Sequence, residues 1–390
     1  MEYLNKNKKI LIVIFLTILS FSLSLLFIKI IPALPVISDS KDYSDIATSI
    51  ITDSTYISIS EDLILYPPLY PIFLSIIYKI THIGFYPGVY FVQNILVFGI
   101  SILVFLTLKT RFKISTKLAL FSSLVVFLWP YFILYSQLIS SEVLYSFLLS
   151  LSVFLFLKIN NESNKNITVI TGILFGLAIL TRPVALLLIP WILIGLFIVS
   201  KSTKFFGEFS IPWKKYFLVL IIATITIMPW EIYVKTKYDR IIPVASNLSF
   251  VFNKANKTLS YLPSENTGRE ENAFSNLLKA KARNIYLFWD PGASGYHLDI
   301  LKEKYPKAVY VVFLYKIVFF AILATALLAA VLYRREKIVI LLTIIILYFW
   351  AVHTVLFPFP RYTLPIIPFV IILATIGISR LSNHFYARKK

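Results

Sequence analysis

"PPLYPIFLSIIYKITHIG", residues 67–84, is a hydrophobic segment that stops short of a membrane span. A spanning helix needs roughly 20 predominantly apolar residues. This segment opens on two prolines, has a third at Pro71, and carries Lys79 and His82 near its end. It predicts a re-entrant or interfacial helix that does not cross. Every later loop takes its side of the membrane from that reading. If 67–84 crossed, all the basic loops after it would face outward.

The rest of the chain supplies the membrane. Of its 390 residues, 58% are hydrophobic and 15% charged, and the mean hydropathy is +0.80. Soluble domains lie nearer half apolar and a quarter charged, so the composition is that of a polytopic membrane protein. Spans are expected near 10–30, 88–108, 118–134, 143–158, 167–182, 184–199, 216–234, 308–332, 338–356 and 363–380. The fold class is therefore all-α integral membrane, a bundle of about 10 spans plus the non-crossing helix. Three regions follow. Residues 1–234 form an N-terminal transmembrane region with a first outer loop at 31–87. Residues 235–307 form an extracytoplasmic loop or cap, and residues 308–390 a C-terminal transmembrane region. Only "IPALP" follows the first run, with no small-residue cleavage site, which predicts a retained anchor.

The net charge of +19 does not indicate nucleic acid. Basic residues sit in short linkers between apolar runs: "NKNKK" before residue 10, "KTRFK" at 109–113, "KKY" at 214–216, "RREK" at 334–337 and "ARKK" at the end. This is the positive-inside pattern of cytoplasmic loops. With that topology Glu2, Glu162, Glu208 and Glu336 are cytoplasmic, and the other acidic residues fall on or near the outer face. The chain has no Cys, which excludes disulfides and thiolate catalysis, and four His, of which His82, His297 and His353 are scattered. No metal ligand set is read from them. The chain has no Gly-rich phosphate loop for a nucleotide-driven pump. It also has no run of mid-span acids for proton-coupled transport.

Chemistry is expected at the outer surface. "DSKDYSDIA" (39–47) begins a helix whose first turn holds Asp39 and Asp42, where carboxylates favour the helix dipole. Tyr43, Ile46, Ala47 and Ile50 share its inner face. A carboxylate after a span also serves simply as a solvated topology marker. Glu142, in "YSQLISSEVLYSFLL" (135–149), stands between the third and fourth expected spans, where a first-turn glutamate is also ordinary. Arg182 in "LAILTRPVALLLIPW" (177–191) and Arg361 in "PFPRYTLPIIPFV" (358–370) place guanidinium groups at the membrane boundary. There they either snorkel to headgroups or bind phosphate or carboxylate. Lys316, inside "VYVVFLYKIVFF", has the same two readings.

The order of these segments, with "YPPLYPIFLSIIYKITHIG" (66–84) and "MPWEIYVKTKYDRIIPVASN" (228–247), resembles the GT-C glycosyltransferases over nearly the whole chain. It is similar to the family 39 protein O-mannosyltransferases and the lipid A aminoarabinose transferases. The resemblance implies transfer of a sugar from a polyprenyl-phosphate-linked donor to an extracytoplasmic hydroxyl on a lipid, glycan or protein. It implies a plasma or inner membrane location with the active site facing outward. Asp39 then matches the family's first-loop acid, with Tyr43 as its aromatic partner, and Glu142 the second-loop acid. Pro68 and Tyr70 of "PPLY" line the site, and Arg361 with Tyr362 matches the basic element near the C-terminal spans. Asp39 and Glu142 are the expected catalytic residues. Tyr43, Tyr66, Pro68, Tyr70, Arg182, Lys316, Arg361 and Tyr362 are the expected substrate-binding ones. Glu142 positions the acceptor or helps hold a divalent cation; no other cofactor is implied. Tyr66 stands where aminoarabinose transferases carry Lys, and Glu231 departs from the Arg-Asn pair that follows "PW" in many relatives. Two other readings use the same residues: a lipid-linked sugar or polysaccharide transporter, and a non-catalytic assembly partner.

Overall fold

A computed structural model describes residues 22, 39–56, 66–208, 210–239, 241–242, 244–245, 273–290, 308–356 and 358–388. Among the described residues there are helices and no strands. The first expected span, at 10–30, lies outside them except for residue 22, as do His297 and most of the loop 235–307.

The helices are α1 (Asp39–Thr52), α2 (Leu69–Ile80), α3 (Tyr86–Arg111), α4 (Thr116–Phe127), α5 (Pro130–Ser136), α6 (Glu142–Phe156) and α7 (Lys165–Thr181). They continue as α8 (Leu188–Lys201), α9 (Trp213–Tyr238), α10 (Ala273–Leu287), α11 (Ala308–Leu332), α12 (Lys337–Val355) and α13 (Ile367–Arg388). Two 3₁₀ segments, Pro183–Ala185 and Pro360–Ile366, lead into α8 and α13.

Among the described residues six helical stretches are long and apolar enough to cross a membrane, and the bent pair α4–α5 passes the same test of length and composition when its two helices are taken together, as a broken span or a re-entrant loop. The 47° bend of that pair follows Leu128, where Pro130 removes a backbone donor and forbids a straight continuation. Helices α6 and α7, at the expected spans 143–158 and 167–182, are apolar but shorter. Helix α2 has 12 residues, about 18 Å of length, too little for a hydrocarbon core of about 30 Å. Its prolines and brevity agree with a segment that does not cross.

Faces sort as a bilayer requires. On α9, Phe217, Ile221, Ile225, Met228 and Ile232 form an exposed stripe, while Val219, Ala223, Ile227 and Val234 are buried. That spacing is one helical face turned to lipid and one turned to protein. The buried face lies on α7, where Gly172 and Gly176 let the backbones meet. A Cβ at Gly172 would stand 2.6 Å from Ile222 Cβ, and one at Gly176 2.5 Å from Thr226 Cβ. Small residues four apart are the usual means of close helix approach in lipid.

Helix α1 packs on α2, with Tyr43, Ile46 and Ala47 buried as the helical pattern predicts. Ser44 Oγ and Tyr78 Oη, 3.1 Å apart, pin the two together. The segment Pro360–Ile366 lies along α6, which brings the C-terminal region to the start of that helix.

Replacing Gly176 by Val should force α7 and α9 apart. The added atoms meet the backbone oxygen of Ala223, 2.9 Å from the Cβ position, which no rotamer change relieves. The expected cost is about 1–3 kcal/mol, read as a lowered thermal unfolding midpoint of detergent-solubilised protein.

Candidate functional site

Four charged residues from distant parts of the chain meet at one end of the bundle, and breaks in helical structure place Glu142, Arg182 and Arg361 there. Asp39 opens α1 and Glu142 opens α6. Arg182 follows α7 with extended backbone, φ −147° and ψ 120°, as expected for a residue before Pro183. That turn swings its side chain out of the helical path. Arg361 sits in the proline-rich segment Pro360–Ile366.

Glu142 is the centre. Its side chain is only 4% exposed, and Arg182 Nη1 lies 2.8 Å from Oε1. Arg361 Nε approaches the same oxygen at 3.6 Å, and Arg361 Nη2 stands 3.8 Å from Asp39 Oδ2. Arg361 therefore bridges a buried carboxylate and the half-exposed Asp39, whose side chain is 50% exposed. The Nε–H of Arg361 is buried and has no hydrogen-bond acceptor within range. The Tyr362 ring lies 5.3 Å from the guanidinium carbons of both Arg182 and Arg361, and stacks on His353 at 4.4 Å.

Residues of α1 and of the segment just before α2 close the other side. Tyr66 Oη is 3.1 Å from Asp39 Oδ1 and 2.8 Å from Asp42 Oδ2. Burial, with Asp39 and Asp42 adding, pushes its phenol far above the ordinary value, so it keeps its proton. Tyr43 donates to Ser141 Oγ at 3.3 Å. Burial likewise raises the Tyr43 phenol. The Tyr43 ring meets those of Tyr66 and Tyr70 edge-on at 4.7 and 4.8 Å.

Of the expected site residues, Asp39, Tyr43, Tyr66, Tyr70, Glu142, Arg182, Arg361 and Tyr362 are thus brought together, and Pro68 is buried just before α2. Lys316 is not among them: its Nζ lies 2.9 Å from Asp290 Oδ1, beside Tyr315, which packs against Trp129 and Tyr131. Tyr66, which stands where aminoarabinose transferases carry Lys, contacts the acid groups. Among the described residues no group of three His, Cys, Asp or Glu is arranged to hold a metal ion. The neighbours of Glu142 are two cations, a donor set that does not suit a divalent ion.

Sequence reasoning passed over Gln93, fully buried in α3. Its Oε1 accepts from Tyr70 Oη at 3.0 Å, and its Nε2 donates to the carbonyls of Ser136 and Leu138 at 3.1 and 2.7 Å. Gln93 thereby ties α2 to the turn that presents Glu142. The signal was available, since "QN" inside the apolar run 86–108 places two amides where lipid offers no partner.

The family model for dolichyl-phosphate-mannose-protein mannosyltransferases matches residues 66–233. No curated protein sequence matches the chain. Among solved structures, ArnT from Cupriavidus metallidurans bound to undecaprenyl phosphate aligns over 95% of this chain and 61% of its own, with TM-score 0.61 and 14% identity. The archaeal oligosaccharyltransferase AglB from Archaeoglobus fulgidus, in complex with an inhibitory peptide and a dolichol-phosphate, aligns over 90% of this chain and 47% of its own. Its TM-score is 0.56 and its identity 16%. The chain spans less than two thirds of the length of either. The fold is the one they share.

Removing the buried carboxylate should leave two guanidinium groups facing each other. Glu142→Ala is expected to destabilise the protein by about 3–5 kcal/mol, the usual cost of breaking a buried pair from one side. A thermal or denaturant unfolding series on Glu142→Ala, Arg182→Ala and the double variant reads this as strong non-additivity.

Proposed function

We propose that this chain, which has the fold of the GT-C membrane glycosyltransferases, transfers a hexose or pentose from a polyprenyl-phosphate-linked donor to an acceptor hydroxyl. The observation that carries the reading is the pairing of a half-exposed carboxylate, Asp39, with the guanidinium of Arg361 at 3.8 Å. A base and an anion-stabilising cation at neighbouring positions are what displacement of a sugar from a phosphate requires.

Asp39 takes the proton of the acceptor hydroxyl. The acceptor oxygen attacks the anomeric carbon, and the bond from that carbon to the phosphate oxygen breaks with its electron pair leaving on the phosphate. Arg361 meets that charge with donors fixed in advance. A guanidinium fork suits a phosphate better than an ammonium does. Glu142, itself paired with Arg182, holds Arg361 in place, and both are positioning residues in this scheme. No step passes through a metal ion.

The reading places the site on the extracytoplasmic face of a plasma or inner membrane. Its support is that the basic linkers gather at the opposite helix ends. Lys215 Nζ donates to the carbonyls of Asn160, Asn161 and Ser163, and Lys337 Nζ to that of Ser210. Arg380 pairs with Glu336. Positive linkers mark the cytoplasmic side. A lipid-linked donor presents its phosphate at the headgroup level, where helix ends and not helix centres must do the chemistry. The acceptor is a lipid, glycan or protein hydroxyl.

Membranes containing the wild-type chain should release sugar from labelled polyprenyl-phosphate donors to an acceptor or to water. Asp39→Asn is expected to lower that rate by about 10²–10⁴, the range of general-base assistance, at equal expression. Arg361→Ala should lose about 10²-fold or more through weaker stabilisation of the leaving phosphate. Equal release by wild type and Asp39→Asn overturns the role of Asp39. Passage of lipid-linked sugar across the bilayer without transfer favours a transporter instead.

A further inference from the structure

At the end of the bundle away from Asp39, partly buried basic side chains have protein partners. Lys109 Nζ donates to the carbonyl of Ile114, Lys215 Nζ to that of Asn161, and Lys337 Nζ to that of Ser210. Arg380 pairs with Glu336. Two other partly buried cations at this end, Arg111 and Lys158, do not follow the pattern. Arg111 closes α3, and Lys158 stands just beyond α6. Among the described residues no carboxylate acts on either of them, whereas the Arg111 charge acts on Lys158. The Nε–H of Arg111 is sealed from water without an acceptor. Like charges held together in partly desolvated surroundings repel, and an unmet donor adds its own cost. An anion between the two groups relieves the repulsion.

The surroundings of the pair are apolar. Lys158 Nζ lies 4.1 Å from the centre of the Phe154 ring, one helical turn back along α6. Phe154 also lines a crevice between α3 and α6, with Leu103, Thr107, Ser150, Val153 and Leu157. Thr107 stands one turn before Arg111, so the two cations sit over the end of this crevice. The Thr107 hydroxyl is bound to the carbonyl of Leu103, which leaves the walls largely hydrocarbon. A ligand that fits both features is charged at one end and apolar beside it.

We infer that Arg111 and Lys158 form a binding site for the phosphate of an anionic phospholipid, whose hydrocarbon lies beside Leu157 at the mouth of the crevice. A guanidinium fork gives two parallel donors to phosphate oxygens, and an ammonium adds a point charge. Basic pockets between helix ends are known seats for such headgroups. Free phosphate offers the same charge but has nothing to place against the crevice. Helix α6 separates Lys158 from Glu142 by 15 residues, about 22 Å. The lipid site is therefore distinct from the Asp39–Arg361 pair and does not rest on the transferase reading.

Native mass spectrometry of the full-length chain, released from micelles supplemented with phosphatidylglycerol or phosphatidylcholine, reads lipid retention directly. The wild type should retain phosphatidylglycerol in preference to phosphatidylcholine. Arg111→Gln and Lys158→Gln should each weaken that retention about fivefold, the effect of one basic charge at a lipid surface. Lys117→Gln and Lys165→Gln remove the same charge from exposed positions at the starts of α4 and α7, and should leave retention unchanged. Equal losses in all four variants mean a diffuse basic surface and overturn the site, as does a wild type without preference. Inorganic phosphate should fail to displace the lipid; full displacement makes this a site for the free anion and overturns the lipid assignment.

Thermal unfolding in nanodiscs separates binding from a structural role. Phosphatidylglycerol should raise the wild-type midpoint more than that of the double variant Arg111→Gln, Lys158→Gln. In phosphatidylcholine, where nothing relieves the repulsion, the double variant should melt no lower than wild type. A double variant that melts lower by the same margin in both lipids overturns the inference.

Discussion

A carboxylate buried at one end of a helical bundle is a constraint that the surrounding structure has to answer. Uncompensated burial of such a charge costs far more than a protein's margin of stability allows. Glu142 is answered twice, by Arg182 and Arg361. Each guanidinium reaches it only because a helix ends early. Arg182 leaves α7 ahead of Pro183, and Arg361 lies in a 3₁₀ segment punctuated by prolines. The turn that carries Glu142 is itself held by Gln93. Helix breaks that look like interruptions of membrane spans are therefore the elements that build the site.

Two cations drawn to one carboxylate also repel each other, and aromatic rings occupy the space around them. Tyr362 offers its ring to both arginines, while His353 stacks between Tyr362 and Phe288. Phe288 follows α10, so the stack connects the segment between the two transmembrane regions to the arginine pair. Asn284 Nδ2 and Lys281 Nζ, on α10, donate to the carbonyls of Thr354 and Val355 at the end of α12. The described part of that segment is fastened to the same end of the bundle as the site.

The spans were legible in the sequence because lipid imposes a simple rule on length and polarity. Apolar runs of about 20 residues marked α3, α9, α11 and α12, and proline and brevity set α2 apart. The inner face of α1 followed from helical spacing of Tyr43, Ile46 and Ala47. The carboxylates and arginines of the site were legible one at a time, since charge at a membrane boundary is rare enough to notice. Gln93 was missed although the same rule applied to it. What local pattern did not carry was equivalence: Lys316 reads much like Arg361, yet it pairs with Asp290. The bond of Tyr66 to two acids joins residues more than 20 positions apart, and nothing in "LYPPLY" announces it.

By itself, then, the sequence determined a polytopic helical membrane protein, the sidedness expected of its linkers, and the short list of polar residues worth placing. Apolar length and charge at span ends are local properties, written in consecutive residues. The tertiary structure decided which acid meets which base. Asp39, Glu142, Arg182 and Arg361 are far apart in the chain, and their meeting depends on how α1, α6, α7 and the segment Pro360–Ile366 pack. That packing rests on close contacts such as those at Gly172 and Gly176. Partner choice in a low-dielectric interior is set by geometry within a few ångströms, and only the folded bundle supplies it.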